Sequence, residues 1–194
     1  MNNTNEALEY YVSGEGMFVN QALRGNVGSD FGELSDSEKE FIKDLDAVTK
    51  NKLGAEQILY RSIDASVLFN NLSASEYQAL IDNLAYNDNQ AYTKRIAESG
   101  MKKLKSSYNE KGFMSTTTSR EYAEDFRDFT GAENPVVMRI KTSKNTKGVN
   151  IGKKYPALER RMQQKEVLLG RNQSGKIKRV YGKNGTLYVD IDMN

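Results

Sequence analysis

The chain has 194 residues, long enough for one domain with a real core and short for two. Its 28 Lys and Arg face 26 Asp and Glu, and a formal charge of +2 argues against a dedicated electrostatic binder of DNA or membranes. There is no Cys and no His, which excludes disulfides, thiolate metal sites, Ser-His-Asp chemistry and imidazole proton shuttles. Any catalysis must therefore come from carboxylates, amides, hydroxyls and Arg. The charge is uneven: between Lys144 and Lys183 only Glu159 and Glu166 oppose a dense run of Lys and Arg.

The start, Met1-Asn2-Asn3-Thr4-Asn5-Glu6, has neither a basic nor an apolar region of the kind a signal peptide needs, so none is expected. No apolar run approaches membrane-spanning length. Residues 4–26 read as helix with an interruption at Gly14–Gly16, then Gly25-Asn26 and Gly28-Ser29-Asp30 punctuate the chain. Ser35-Asp36-Ser37-Glu38 is a capping box, and the helix after it places Phe41, Ile42, Leu45 and Val48 on one face, ending by Gly54. Ile58-Leu59-Tyr60-Arg61 reads as a short strand. A second box, Ser73-Ala74-Ser75-Glu76, opens a helix whose Tyr77, Leu80, Ile81 and Leu84 follow helical spacing. Residues 88–107 are polar and predict further helix and a loop.

Gly112–Thr117 reads as a strand, and Thr118-Ser119-Arg120-Glu121 predicts a third capping box ahead of a short helix with Tyr122, Ala123 and Phe126. Asn134-Pro135 breaks that helix, and Val136–Thr142 is a strand. Residues 143–165 form a long loop with extended pieces near Val149–Ile151, and a loop of that length is usually functional. The rest is strand: Val167–Arg171, Lys176–Tyr181 and Thr186–Met193, with Lys183-Asn184-Gly185 as a hairpin turn. In the last strand Leu187, Val189, Ile191 and Met193 alternate with Tyr188, Asp190 and Asp192, which predicts one buried and one wet face. Helices come first and strands last, indicating an α+β fold in a single domain.

The stretch Gln164-Lys165-Glu166 sits where a polar loop feeds an apolar run. On extended chain, residues i and i+2 share a face, so an amide and a carboxylate are expected side by side at a strand mouth, with Gln163 on the opposite face. Upstream stand Leu59-Tyr60-Arg61 on one strand and Gly112-Phe113-Met114-Ser115-Thr116-Thr117 on another.

Arg, Ser-Thr-Thr and Gln-x-Glu in this order resemble the mono-ADP-ribosyltransferase toxins of the Arg / Ser-Thr-Ser / Glu class. The Gln-x-Glu form is most similar to the clostridial exoenzymes that modify an asparagine on Rho GTPases. The resemblance is good over residues 58–194 and looser before, where Phe18-Val19-Asn20-Gln21-Ala22-Leu23-Arg24 is similar to a helix near the NAD site of many members. It implies an ADP-ribosyltransferase fold in which N-terminal helices pack on two antiparallel-rich sheets that form an NAD cleft. The helical part would cover about 1–57 and the motif-bearing part about 58–194, in one domain acting as a monomer.

By the resemblance, Arg61 holds the NAD phosphates, a task suited to a guanidinium fork. Ser115 orients the catalytic carboxylate and supports the nicotinamide pocket. Glu166 is that carboxylate, bonding a ribose hydroxyl and stabilising the charge that develops as nicotinamide leaves. Gln164 selects the acceptor, since its amide can both donate to and accept from an Asn or Gln side chain, whereas Arg-modifying relatives have Glu there. Tyr155 is implied in docking the target. Tyr60, Phe113, Phe126, Arg127, Asn20 and Arg24 complete the implied NAD-binding set, with Phe126 equally readable as helix-face core. Thr117 replaces the second Ser of the motif, keeping the hydroxyl and adding a methyl.

The expected activity is NAD-dependent mono-ADP-ribosylation of a protein Asn or Gln, with a small GTPase or other host protein as the expected target, side NAD glycohydrolase activity and no metal. Two alternatives stay open: modification of guanine in DNA or nucleotides, and a non-catalytic phage or toxin binding module. Protein is favoured because the basic residues are not interleaved with stacking aromatics. The enzyme is expected to act in the cytoplasm of a host or target cell, with phage encoding or delivery as a toxin both open.

Overall fold

A computed structural model describes residues 4–25, 34–85, 90–127 and 131–193. The punctuating residues Asn26 and 28–30 lie outside them. By its internal contacts the chain forms two compact units, one of Met1–Glu56, Asn109–Thr116 and Ser143–Ser174, the other of Gln57–Tyr108, Thr117–Thr142 and Gly175–Asn194.

The first unit opens with α1 (Thr4–Tyr10), a π turn (Tyr11–Glu15) and α2 (Gly16–Arg24). The expected interruption is real. Gly14 has φ 105°, which an L side chain rarely adopts, and a Cβ at Gly16 would run into the Tyr11 ring. The helix α3 (Asp36–Thr49) begins with the predicted box: Ser35 Oγ accepts from the Glu38 amide, and the Glu38 carboxylate accepts from the Ser35 amide at 2.7 Å. The Ser35 hydroxyl, which donates to the same carboxylate at 2.7 Å, and after it the Ser35 amide hold Glu38 below the usual carboxylate range. Ile42, Leu45 and Val48 are buried, joining Leu8, Tyr11, Val19, Phe113, Ile151 and Leu168 in one core cluster, with Phe41 packed at its margin.

Late in the chain this unit adds β5 (Gly148–Asn150), α7 (Ile151–Lys154), α8 (Pro156–Met162) and β6 (Glu166–Leu169). The predicted long loop 143–165 thus contains two short helices. The first is capped by Asn150 Oδ1 accepting from the Lys153 amide, the second starts on Pro156, whose fixed φ suits a first helical turn, and both are too short to leave a periodic signal. Strands run in the order β5-β6-β3, with residues 114–116 of β3 (Met114–Thr117) in this unit.

The second unit holds β1 (Ile58–Asp64), α4 (Ala74–Ala85), α5 (Ala91–Met101), α6 (Arg120–Phe126), β4 (Pro135–Lys141) and β8 (Thr186–Met193). With β2 (Ser107–Glu110) and β7 (Gln173–Lys183), whose residues 107–108 and 175–183 belong here, the strand order is β2-β7-β8-β4-β1. Pairing is antiparallel for β7 with β8 and β1 with β4, and parallel for β4 with β8. Asn184 (φ 50°) and Gly185 (φ 72°) form the predicted hairpin turn. Val136, Val137, Met138, Leu187, Val189 and Ile191 are fully buried.

Tyr188 corrects the expected wet face of the last strand, being 1% exposed. It packs with Ala123 of α6, Val137, Tyr60 and Tyr181, and its hydroxyl accepts from the Arg120 guanidinium at 2.9 Å. The helix covers that face, so only Asp190 and Asp192 keep partial exposure. The second capping box is also present, the Ser73 amide donating to Glu76 at 2.9 Å and the Glu76 amide to Ser73 Oγ at 3.3 Å. Burial pushes the Tyr77 phenol up to about 12, and that hydroxyl donates to the Pro135 carbonyl. The third box is displaced by one residue: Ser119, not Thr118, accepts from the Tyr122 amide, which leaves Glu121 outside the reciprocal position.

Candidate active site

In the first unit, the sequence brings Ser115 and Glu166 together. Ser115 is the exposed residue of β3, between buried Met114 and buried Thr116, and Thr117 after them is buried as well. Thr116 ties the two strands, its Oγ1 donating to the Val167 carbonyl at 2.5 Å. One residue along, Ser115 Oγ donates to Glu166 Oε1 at 2.6 Å, the short distance of a charge-assisted bond. Glu166 is 5% exposed, and Val167, Leu168 and Leu169 after it are fully buried. A carboxylate buried at such a place needs hydrogen-bond partners, and the hydroxyl is one.

Gln164 is half-buried and lies in the turn before β6. The turn is not extended: Gln163 has φ 52° and Lys165 φ 49°, both left-handed. The expectation that Gln164 and Glu166 share a face through strand geometry therefore rests on a conformation the chain does not adopt. Bonded to the turn is Glu159 of α8, which the sequence showed only as one of two acids in a basic stretch. Its carboxylate accepts from the Lys165 amide at 2.6 Å and the Glu166 amide at 3.4 Å. Tyr155, between α7 and α8, is half-buried against the first core, with Lys154 Nζ 5.6 Å from its ring centroid.

Asn20 and Arg24, one turn apart on α2, turn toward residues 110–113. Asn20 is 6% exposed; its Oδ1 accepts from the Phe113 amide at 2.7 Å and its Nδ2 donates to Tyr11 Oη at 2.8 Å. Gly112 permits that approach, since a Cβ there would stand 2.5 Å from Asn20 Oδ1. Phe113 is itself fully buried, its ring edge-on to Tyr11. Arg24 forms a bidentate pair with the buried Glu110 at 2.7 and 3.0 Å, and Glu110 also accepts from the Gly112 amide. Glu110 was not singled out from sequence; its partner lies 86 residues away, with no local pattern to reveal it.

The second unit holds the other expected residues. Arg61 is half-buried on β1, opposite Met138 of β4. Tyr60 pairs in register with Thr117 and packs against Tyr188 and Ala123. Thr117 Oγ1 accepts from the Ser119 amide at 3.0 Å, so the Thr in the second motif position serves the turn into α6. Phe126 is 45% exposed and stacks on Tyr122, and Arg127 donates to Thr186 Oγ1 at 2.7 Å. Among the described residues no group of three or more acidic side chains could hold a metal ion, and no helix is long and apolar enough to cross a membrane.

The family model described as ADP-ribosyltransferase exoenzyme matches residues 2–193. Solved structures share the fold. The Vis ADP-ribosyltransferase toxin from Vibrio splendidus is 18% identical with a TM-score of 0.66, over 100% of this chain and 74% of that one. A C3 protein from S. aureus, solved with NAD, is 18% identical with a TM-score of 0.68, over 100% and 87%. A C3 ADP-ribosyltransferase from Clostridium botulinum is 23% identical with a TM-score of 0.63, over 98% and 85%. A comparison with curated proteins finds no match. Since the family model spans nearly the whole chain, the protein belongs to the ADP-ribosyltransferase exoenzyme family and is a transferase that uses NAD.

Proposed function

We propose that the protein transfers ADP-ribose from NAD to an Asn or Gln side chain of a target protein, releasing nicotinamide, with Glu166 as the catalytic carboxylate. The observation that carries the reading is the 2.6 Å bond from Ser115 Oγ to the buried Glu166 carboxylate at the head of β6. Ser115 engages Oε1 and sets the carboxyl plane, and the carboxylate so oriented accepts a ribose hydroxyl. It then strengthens its interaction as positive charge develops on the ribose, the differential binding that lowers a barrier.

In the reaction the bond between the ribose anomeric carbon and the nicotinamide ring nitrogen breaks, and its electron pair leaves with nicotinamide. A bond forms from the acceptor amide nitrogen to the same carbon, and that nitrogen loses a proton to solvent. Gln164 orients the acceptor by donating to and accepting from its amide. Water in place of the acceptor gives free ADP-ribose, the glycohydrolase side reaction. Arg61 is assigned to the NAD phosphates on chemistry, its guanidinium being permanently charged and bidentate. Tyr60, Phe126 and Arg127 are assigned with it to NAD binding, as are Asn20, Arg24 and Phe113. For the last three the hydrogen bonds above suit a role in shaping the segment that ends in Ser115. Tyr155 is assigned to contact with the target.

A second reading, transfer to guanine, draws support from the exposed Lys153, Lys154, Arg160 and Lys165 around Gln164. The test is incubation with NAD and either host protein extract or nucleic acid, followed by peptide or nucleoside mass mapping. ADP-ribose on Asn or Gln supports the proposal; ADP-ribose confined to guanine supports the second reading and overturns the first.

A further inference from the structure

The turn that delivers Glu166 into β6 is costly to hold. Gln163 and Lys165 both take left-handed backbone, which costs a non-glycine residue roughly 1–2 kcal/mol, and they flank Gln164. Three bonds to a single residue oppose that cost. The Glu159 carbonyl accepts from the Gln163 amide at 2.7 Å, and its carboxylate accepts from the Lys165 amide at 2.6 Å and the Glu166 amide at 3.4 Å. A carboxylate bridging two backbone amides is a charge-assisted clamp. Space for it is provided by Gly152 of α7, where a Cβ would stand 3.3 Å from Glu159 Cγ and 3.5 Å from Asn150 Oδ1.

The geometry assigns Glu159 as a positioning residue: by clamping the Lys165 and Glu166 amides, it sets the left-handed turn that places Gln164 and the Glu166 carboxylate for transfer. The assignment rests on the reading of Glu166 as the catalytic carboxylate. Glu159 acts through the main chain of its neighbours, so its loss is expected in turnover and not in NAD affinity. A misplacement of about 1 Å at a reacting group is worth up to about 100-fold in rate.

The test is steady-state nicotinamide release from NAD by the wild-type chain and by Glu159→Ala, Glu159→Gln, Gly152→Ala and Glu166→Ala, with thermal melting of each. Glu159→Ala is expected to lower kcat about 10- to 100-fold with KM for NAD within about twofold. Glu159→Gln keeps one carbonyl acceptor and is expected to fall between Glu159→Ala and wild type. Gly152→Ala presses on the Glu159 stem and is expected to lower kcat several-fold with Glu159 intact. Unchanged kcat in Glu159→Ala alongside collapse in Glu166→Ala overturns the assignment, as does a loss expressed in KM or shared by Glu159→Gln in full. Should Glu159→Ala fail to fold, Glu159→Gln and Gly152→Ala decide, and wild-type kcat in both overturns it. Nicotinamide release that survives Glu166→Ala overturns the reading beneath the assignment, and the assignment with it.

Discussion

Replacing Asn20 by Ala separates two roles for the residue, ligand contact and support of the chain. The side chain closes a small buried network: it accepts the Phe113 amide at 2.7 Å and donates to Tyr11 Oη at 2.8 Å, while Tyr11 Oη reaches the Phe113 carbonyl at 3.4 Å. Truncation strands the Phe113 amide beside a fully buried ring, which costs roughly 1–3 kcal/mol, and the lost bond to Tyr11 adds about 1. The sum is about 2–4 kcal/mol. For a chain of this length each kcal/mol lowers Tm by roughly 2–4 °C, so Asn20→Ala is expected to melt about 4–16 °C lower. Asn20→Asp still accepts the Phe113 amide, and the Tyr11 hydroxyl can turn to donate to it, so its loss is expected within about 1–2 kcal/mol. Thermal unfolding by circular dichroism, with denaturant midpoints, gives the comparison. Asn20→Ala melting within about 2 °C of wild type while KM for NAD rises would refute the reasoning, placing the amide in ligand binding and not in the network.

Other expectations follow from particular contacts. The Lys103 ammonium, with the Ser73 amide next, holds Glu76 down to about 2 from an ordinary 4.5. The folded value is the lower one, so this stabilisation is whole above about pH 4.5 and fades as pH falls toward 2. Glu76→Gln should remove on the order of 2 kcal/mol at neutral pH, after discounting for the partial exposure of Lys103, and flatten that acid limb in urea titrations. Gly148→Ala would set a Cβ 2.8 Å from the Leu168 carbonyl; strain of about 1–3 kcal/mol should lower both melting temperature and nicotinamide release, since β6 carries Glu166. Wild-type melting of that variant would contradict the packing. The exposed Lys153, Lys154, Arg160 and Lys165 predict that raising salt from about 0.05 to 0.5 M weakens transfer to a macromolecular acceptor several-fold while glycohydrolysis stays within about twofold. Paired assays on one preparation check this.

Local chemistry made much of the fold legible. The boxes at Ser35 and Ser73 work because both partners lie within four residues, and Asn184-Gly185 because left-handed backbone is written into those residue types. The order Arg61, Ser115, Glu166 carried the family, which the match over residues 2–193 bears out. Long-range relations were harder to read. Tyr188 looked solvent-facing by alternation, but α6 covers it, and strand periodicity says nothing about what lies on a sheet. The helices within 143–165 were hidden by their length of four and seven residues. Gln163 and Lys165 are left-handed without being Gly or Asn, because a glutamate several residues earlier in the chain holds their turn, and no local preference announces it.

The central claim, that Glu166 oriented by Ser115 drives loss of nicotinamide, is met most directly by nicotinamide release from the Glu166→Gln variant. The amide keeps the shape and can still accept the Ser115 hydroxyl, so melting and NAD binding should hold near wild type. The rate should fall about 100-fold or more, since only the charge is gone. A rate within a few-fold of wild type would contradict the account.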